Sequence, residues 1–219
     1  MKTTIPMSKK LQEKIQNEGI EKDVFSHIQK LNTFETLFYW IIDTKFRTSV
    51  NLKSWLKEQD GNAQLAKIVE DNGWKNIKNK DNRVLAILKF FQNGKYLTYT
   101  GDLKQYERTD YWATVKETLA TQKGDCDDGA ILVYHACRLA GIDDTRLYLV
   151  AGDVIGGGHC YLVYVADDGV EYPIDWCYWA DKSLTMLVPY FNREDYYYGE
   201  KEWFRVNCSG LYRQKEMKI

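Results

Sequence analysis

One stretch constrains the fold more than any other: a helical pattern that runs directly into three strand-like segments. Small and apolar residues from Cys126 to Leu139 recur at helical spacing, and Gly141 stops them. The runs 146–151, 159–165 and 170–176 then read as strands, with Asp167-Asp168-Gly169 as a hairpin turn between the last two. A helix leading into an antiparallel hairpin predicts an α+β fold.

Upstream the pattern is helical. Leu11, Ile15 and Ile20, then Val24, Phe25, Ile28 and Leu31, then Leu37, Phe38, Ile41 and Ile42 predict helices between Ser8 and Ile42. Another helix is expected over 62–71, stopping at Asn72-Gly73. Asp81 is expected to cap a helix carrying Val84, Leu85, Leu88 and Phe91, ended by Asn93-Gly94, and residues 96–99 are β-prone. The chain thus divides into a helical N-terminal extension, 1–80, and a core, 81–219. With 219 residues, 44% of them hydrophobic, and only three Pro, there is material for one substantial core, and intrinsic disorder is excluded.

Charge narrows the partners. The net charge is −1, so neither nucleic acid nor a membrane is an expected partner. The two parts differ: residues 1–124 carry 21 basic and 15 acidic side chains, whereas 125–219 carry 9 and 16. The halves neutralise each other in one fold, or dock on a partner. No apolar stretch follows the charged start and none approaches the ~18 residues of a membrane span, so a cytoplasmic location is expected. Five cysteines, an odd number without a CxxC pair, argue for reduced thiols and against a disulfide framework or a zinc site.

The chemistry concentrates at 124–130, Gly-Asp-Cys-Asp-Asp-Gly-Ala. Gly124 allows a sharp turn and Asp125 stands where a cap accepts the first free N–H groups, which places Cys126 in the first helical turn. Helix-end charge and unpaired donors there favour a thiolate, lowering a thiol pKa from about 8.5 toward roughly 4–7. Cys126, Gly129, Ala130 and Val133 share one face, and the two small residues admit a sheet close to the sulfur. A thiolate nucleophile needs a base and the base an orienting group. His159 opens one strand and Asp175 ends the next; both stand eight residues from 167, so the hairpin makes them near-opposite neighbours. Cys126, His159 and Asp175 are therefore the expected catalytic set.

Other candidates have simpler explanations. Cys137 and Cys160 fit as core filler, His135 points away from the Cys126 face, His27 falls in the extension, and Cys208-Ser209-Gly210 has no partner pattern. The run 155–158, Ile-Gly-Gly-Gly, precedes a strand, which suits a loop over the site better than a phosphate cradle. Asp125, Asp127 and Asp128 are of the type that holds calcium, but capping and dipole complementarity explain acidic residues at a helix start. No required cofactor is expected, with calcium as the alternative.

These residues resemble the transglutaminase-like superfamily of papain-type thiol enzymes, in particular the bacterial transglutaminase-like cysteine proteinases. The resemblance is carried by Asn82-Arg83-Val84, Asp110-Tyr111-Trp112-Ala113-Thr114, the 124–128 segment, Gly158-His159 and Asp175-Trp176, and covers about residues 81–180. It implies Cys126 as nucleophile, His159 as general base then acid, Asp175 as the group orienting it, and Trp112 as part of the oxyanion site or a wall. It also implies a protein or peptide substrate, with hydrolysis favoured over amine transfer. Val115 stands where that group has proline. Small stand-alone copies occur in bacteriophage genomes, so the alternative is a virion-associated assembly component that uses the fold as a binding module.

Overall fold

A computed structural model of the chain describes residues 28–30, 40–41, 50–92, 94–154, 157–177 and 201–214. In chain order these form β1 (Ile28–Lys30), β2 (Trp40–Ile41), β3 (Val50–Asn51), α1 (Leu52–Glu58), α2 (Ala63–Asp71) and α3 (Lys80–Phe91). Then come β4 (Thr98–Tyr99), α4 (Asp102–Tyr106), α5 (Val115–Thr121), β5 (Lys123–Gly124) and α6 (Cys126–Leu139). The chain continues through β6 (Leu147–Val154), β7 (Gly157–Val165), β8 (Glu171–Ile174), β9 (Lys201–Asn207) and β10 (Gly210–Gln214). The main sheet has six antiparallel strands in the order β1-β10-β9-β6-β7-β8. It packs against helices, giving the α+β fold expected.

α6 is the centre of the molecule. Every residue from Asp127 to Cys137 is buried, with α2, α3 and α5 on one side and β6 and β7 on the other. Such depth demands small residues where the helix meets the sheet. At Gly129 an added Cβ would lie 2.0 Å from Cε2 of Trp176. At Gly124 it would lie 2.5 Å from Cβ of Asp128, so this glycine serves close approach; its backbone is extended and pairs with Tyr99, and the sharp turn expected there does not occur. At the other end of α6, Arg83 donates to the carbonyls of Ala140 (2.8 Å) and Ile77 (2.6 Å), tying α3 to the helix C-terminus.

The first third differs in part from its helical expectation. Residues 8–27 lie outside the described residues, and so do the connecting pieces around 31–39. Within 28–42 the described pieces are strands, β1 hydrogen-bonded to β10 and β2 to β3. Short apolar runs carry either period, and pairing with an open sheet edge satisfies the backbone there. α1 and α2 supply the helical portion, and their Leu56, Leu65 and Val69 are buried in the same core as α6.

Three local features depart from the sequence reading. The cap of α3 is Asn79, whose side chain accepts the Asn82 N–H at 2.8 Å; Asp81 instead accepts from the Tyr164 hydroxyl at 2.7 Å, bridging α3 to β7. α5 was not expected, although Thr114 and Glu117 form a reciprocal capping box readable as T-x-x-E. Val115 is its first residue, where proline is also at home; the N–H that a proline lacks donates to Oε1 of Gln59 at 2.6 Å. The third is Cys208-Ser209-Gly210, which turns the β9–β10 hairpin, where Oδ1 of Asn207 accepts from the N–H groups of Ser209 and Gly210.

Overpacking the helix–sheet contact is costly where backbone and ring both resist. Gly129→Ala is expected to lower unfolding stability by about 1–3 kcal/mol or more, read by urea denaturation, whereas an alanine at half-buried Gly101, where no atom lies within 4 Å of the added Cβ, changes it little.

Candidate active site

Cys126 opens α6, but its setting differs from that of a simple helix-start thiolate. Asp125 occupies the N-cap position with extended backbone, and its side chain makes no capping bond; the expected cap is absent because its carboxylate belongs to an acidic cluster. The half-buried sulfur accepts the backbone N–H of Cys160 on β7, and the thiol donates toward Oδ1 of Asp127 at 3.8 Å. The carbonyl of Cys126 accepts the indole N–H of Trp176 at 3.2 Å, fixing the helix start against the chain that leaves β8. Burial first, then the charge of Asp125, pushes the Cys126 thiol up to about 12. The lowered thiol pKa expected from the helix end is reversed: loss of solvent and a neighbouring carboxylate outweigh the helix dipole.

His159 and Asp175 meet as a buried pair. Nε2 of the imidazole lies 2.7 Å from Oδ2 of Asp175, and the two residues are 4% and 1% exposed, so water does not compete for the contact. The ring stacks on Tyr161, centroids 5.6 Å apart. The hairpin register is two residues away from the expected one. Leu162 pairs with Ile174 and Val165 with Glu171, so continuing toward Gly157 sets His159 opposite position 177 and Asp175 opposite Tyr161. The pair therefore meets on a diagonal, within reach of an imidazole. The other oxygen of Asp175 accepts from both the N–H and the thiol of Cys177, each at 3.2 Å.

Beside the cysteine lies a group of carboxylates that the sequence could not assemble. Ligand oxygens of Asp102, Asp125 and Asp128 all fall within 4.8 Å of one another. Asp102 Oδ2 accepts the Tyr111 N–H at 2.5 Å and Asp128 Oδ1 the Ala113 N–H at 2.6 Å. Their second oxygens, with Oδ1 of Asp125, are buried without a hydrogen-bond donor among the described residues. Burial and the Asp125 charge push both Asp102 and Asp128 up to about 8. Asp127, grouped with Asp125 and Asp128 in the sequence reading, instead faces the sulfur; burial and Asp125 raise its carboxyl too. Asp102 was missed because it opens α4, without helical or strand spacing to Cys126.

The remaining candidates are placed as follows. Trp112 is half-buried, and its described ring contact is edge-on with Trp55 at 6.4 Å. Cys137 and Cys160 are buried, and His135 bonds Asp60 through Nδ1 at 3.2 Å, away from Cys126. His27, Ile155 and Gly156 lie outside the described residues; Gly157 and Gly158 belong to β7. The structure thus sets a cysteine at a helix start, packed on an antiparallel sheet, near a buried His–Asp pair carried by the adjacent strands β7 and β8 and the chain that follows.

No family model matches the chain, and no curated protein matches it. Among solved structures the chain is similar to Legionella pneumophila LapG at 19% identity, covering 72% of this chain and 73% of that one, with a TM-score of 0.46. It is also similar to LapG described as EGTA-treated, at 18% identity, 76% and 75% coverage and TM-score 0.48. LapG described as calcium-bound matches at 17% identity, 80% and 86% coverage and TM-score 0.47. The cytoplasmic location expected from the sequence does not stand: it rested on the absence of an apolar segment, which does not fix a compartment. Among the described residues no helix is long and apolar enough to cross a membrane, which is silent on compartment.

Trp176→Phe keeps a ring over Gly129 but removes the donor to the Cys126 carbonyl. A loss of about 1 kcal/mol in unfolding stability is expected, with faster amide exchange in the first turn of α6 by hydrogen-exchange mass spectrometry.

Proposed function

We propose that the protein is a thiol hydrolase acting on peptide or amide bonds in a protein substrate, with Cys126 as nucleophile, His159 as base then acid, and Asp175 as the orienting group. The observation that supports this most is the buried 2.7 Å contact of His159 Nε2 with Asp175 beside a cysteine at a helix start. With Nε2 held by the carboxylate, exchange of a proton with the thiol falls to Nδ1. The thiol proton passes to the imidazole as sulfur attacks the carbonyl carbon; the imidazolium then protonates the leaving nitrogen, leaving an acyl-enzyme. Water, deprotonated by His159, releases the acid and restores the thiol. The Cys126 N–H, in the first turn of α6 where backbone donors lack intrahelical partners, is the proposed oxyanion donor. Residues 81–219 carry this chemistry, and α2 braces α6 from the extension.

Assays of unfolded protein substrates should show cleavage, and labelled primary amine should be incorporated far less than water adds. Cys126→Ala and His159→Ala are each expected to lower turnover by about 10⁴-fold or more, and Asp175→Ala by less. Turnover that survives Cys126→Ala sinks the reading.

The finer proposal is that Asp102, Asp125 and Asp128 hold calcium. The donor set fits: three carboxylates, no nitrogen or sulfur, and a second oxygen on each that no described donor serves. Such oxygens are expensive to bury ionised and unpaired. Bound there, a divalent cation supplies the charge that offsets Asp125 next to the sulfur. The residues themselves position segment 111–113 through the two backbone bonds from Tyr111 and Ala113. Calcium should stabilise the fold by about 2.7 kcal/mol at free calcium a hundredfold above Kd, read as a raised melting temperature that EGTA reverses. Asp102→Asn or Asp128→Asn should remove the shift; a shift retained in both variants counts against this site.

A further inference from the structure

The carboxylate of Asp175 is shared. One oxygen faces His159 and the other faces the Cys177 thiol, and a ligand atom from each of His159, Asp175 and Cys177 lies within 4.8 Å of the other two. We propose that these three side chains form a zinc site that silences the proposed hydrolase by occupying its base. The proposal builds on the proposed roles of His159 and Asp175, but the binding itself needs neither activity nor Cys126.

The fold supplies the convergence. Continuing the β7–β8 register sets position 177 opposite His159, and the chain past β8 turns the Cys177 N–H and thiol back onto Asp175. All three residues are buried, at 4%, 1% and 9% exposure, so ligands displace little water and are already ordered. The present contacts, 2.7 Å from nitrogen to oxygen and 3.2 Å from sulfur to oxygen, are hydrogen bonds. A tetrahedral zinc ion, with nitrogen at about 2.0 Å and sulfur at about 2.3 Å, sets its ligand atoms roughly 3.3–3.5 Å apart, and one ligand atom from each of the three residues already lies within 4.8 Å of the others.

Ligand chemistry selects the ion. Thiolate, imidazole and carboxylate together suit zinc, whereas the oxygen-only group at Asp102, Asp125 and Asp128 suits calcium. The two sites therefore discriminate between cations although they flank the same helix start. On binding, Cys177 releases its thiol proton to solvent and His159 gives zinc the lone pair of a ring nitrogen. Three protein ligands leave the fourth position to water. An imidazole so engaged no longer takes a proton from Cys126, so the metal inhibits. The sequence gives no CxxC warning because the ligands come from two neighbouring strands.

The test uses the full chain carrying Cys126→Ala, so that the nucleophile contributes nothing. Cobalt(II) added to it should give a near-ultraviolet sulfur-to-cobalt charge-transfer band, displaced by one equivalent of zinc. The further change Cys177→Ser should abolish the band and weaken zinc binding at least tenfold in competition with a chromophoric chelator. No band in the Cys126→Ala chain, or a band that persists after Cys177→Ser, overturns the proposal. Zinc-edge X-ray absorption on the Cys126→Ala chain needs no change at Cys177: one sulfur neighbour at about 2.3 Å among nitrogen and oxygen is expected, and a shell without sulfur overturns it. Because the readout is binding, an inactive wild-type protein would defeat the hydrolase reading, and with it the silencing, while leaving the zinc site standing.

Discussion

The indole of Trp176 lies between two parts of α6, and the site depends on it. Its ring fills the space over Gly129 so closely that a single methyl there would overlap it, and its N–H holds the carbonyl of Cys126. The ring belongs to the residue immediately after Asp175. Helix start and strand end are thereby fixed to each other by one side chain, which sets the sulfur and the His–Asp pair in a common frame. The helix approaches this closely because glycine and alanine occupy 129 and 130, while Tyr134 and Leu132, deeper along α6, fill the larger spaces of the core.

Charge is the opposing constraint. A helix N-terminus favours an anion by up to about 2 kcal/mol in partly buried geometry, and each pKa unit is worth about 1.36 kcal/mol. The dipole alone can thus lower a thiol by roughly one to two units. Here Asp125 and Asp127 flank the sulfur, with Asp102 and Asp128 in the adjoining cluster, and burial removes the water that would screen them. The sum runs the other way, and the thiol rests protonated. A site built like this needs its surplus negative charge met before sulfur can leave as an anion, which links the carboxylate cluster to the chemistry next to it.

Much of this was legible from local pattern. The limits of α6 follow from spacing and the stop at Gly141, and β6, β7 and β8 fall within a few residues of their expected spans because they are short β-prone runs, the last two separated by an Asp-Asp-Gly turn. That His159 and Asp175 meet was also readable, although by a diagonal rather than a facing contact, since a turn centre cannot be placed to one residue by eye. What was hidden depends on distance along the chain. Asp102 reaches Asp125 only after the chain has passed through α4, α5 and β5, and no spacing rule covers that path. The first third misled because Ile28 and Ile41 satisfy a helical period locally, while the free edge of β10 offers β1 hydrogen bonds that a local count does not see.

Asp175 shows why one strand end gathers so much chemistry. A carboxylate has two oxygens, and a base needs only one of them to hold its tautomer. The second must still be satisfied when buried, because an unpaired anionic oxygen in this setting is costly. The chain meets that need with the N–H and thiol of Cys177. A hydroxyl would have served the same bond, but sulfur brings affinity for a metal along with it. The requirement that orients the imidazole therefore also assembles a nitrogen, an oxygen and a sulfur around one point, and the identity of residue 177 decides whether that point is only structural or can take an ion.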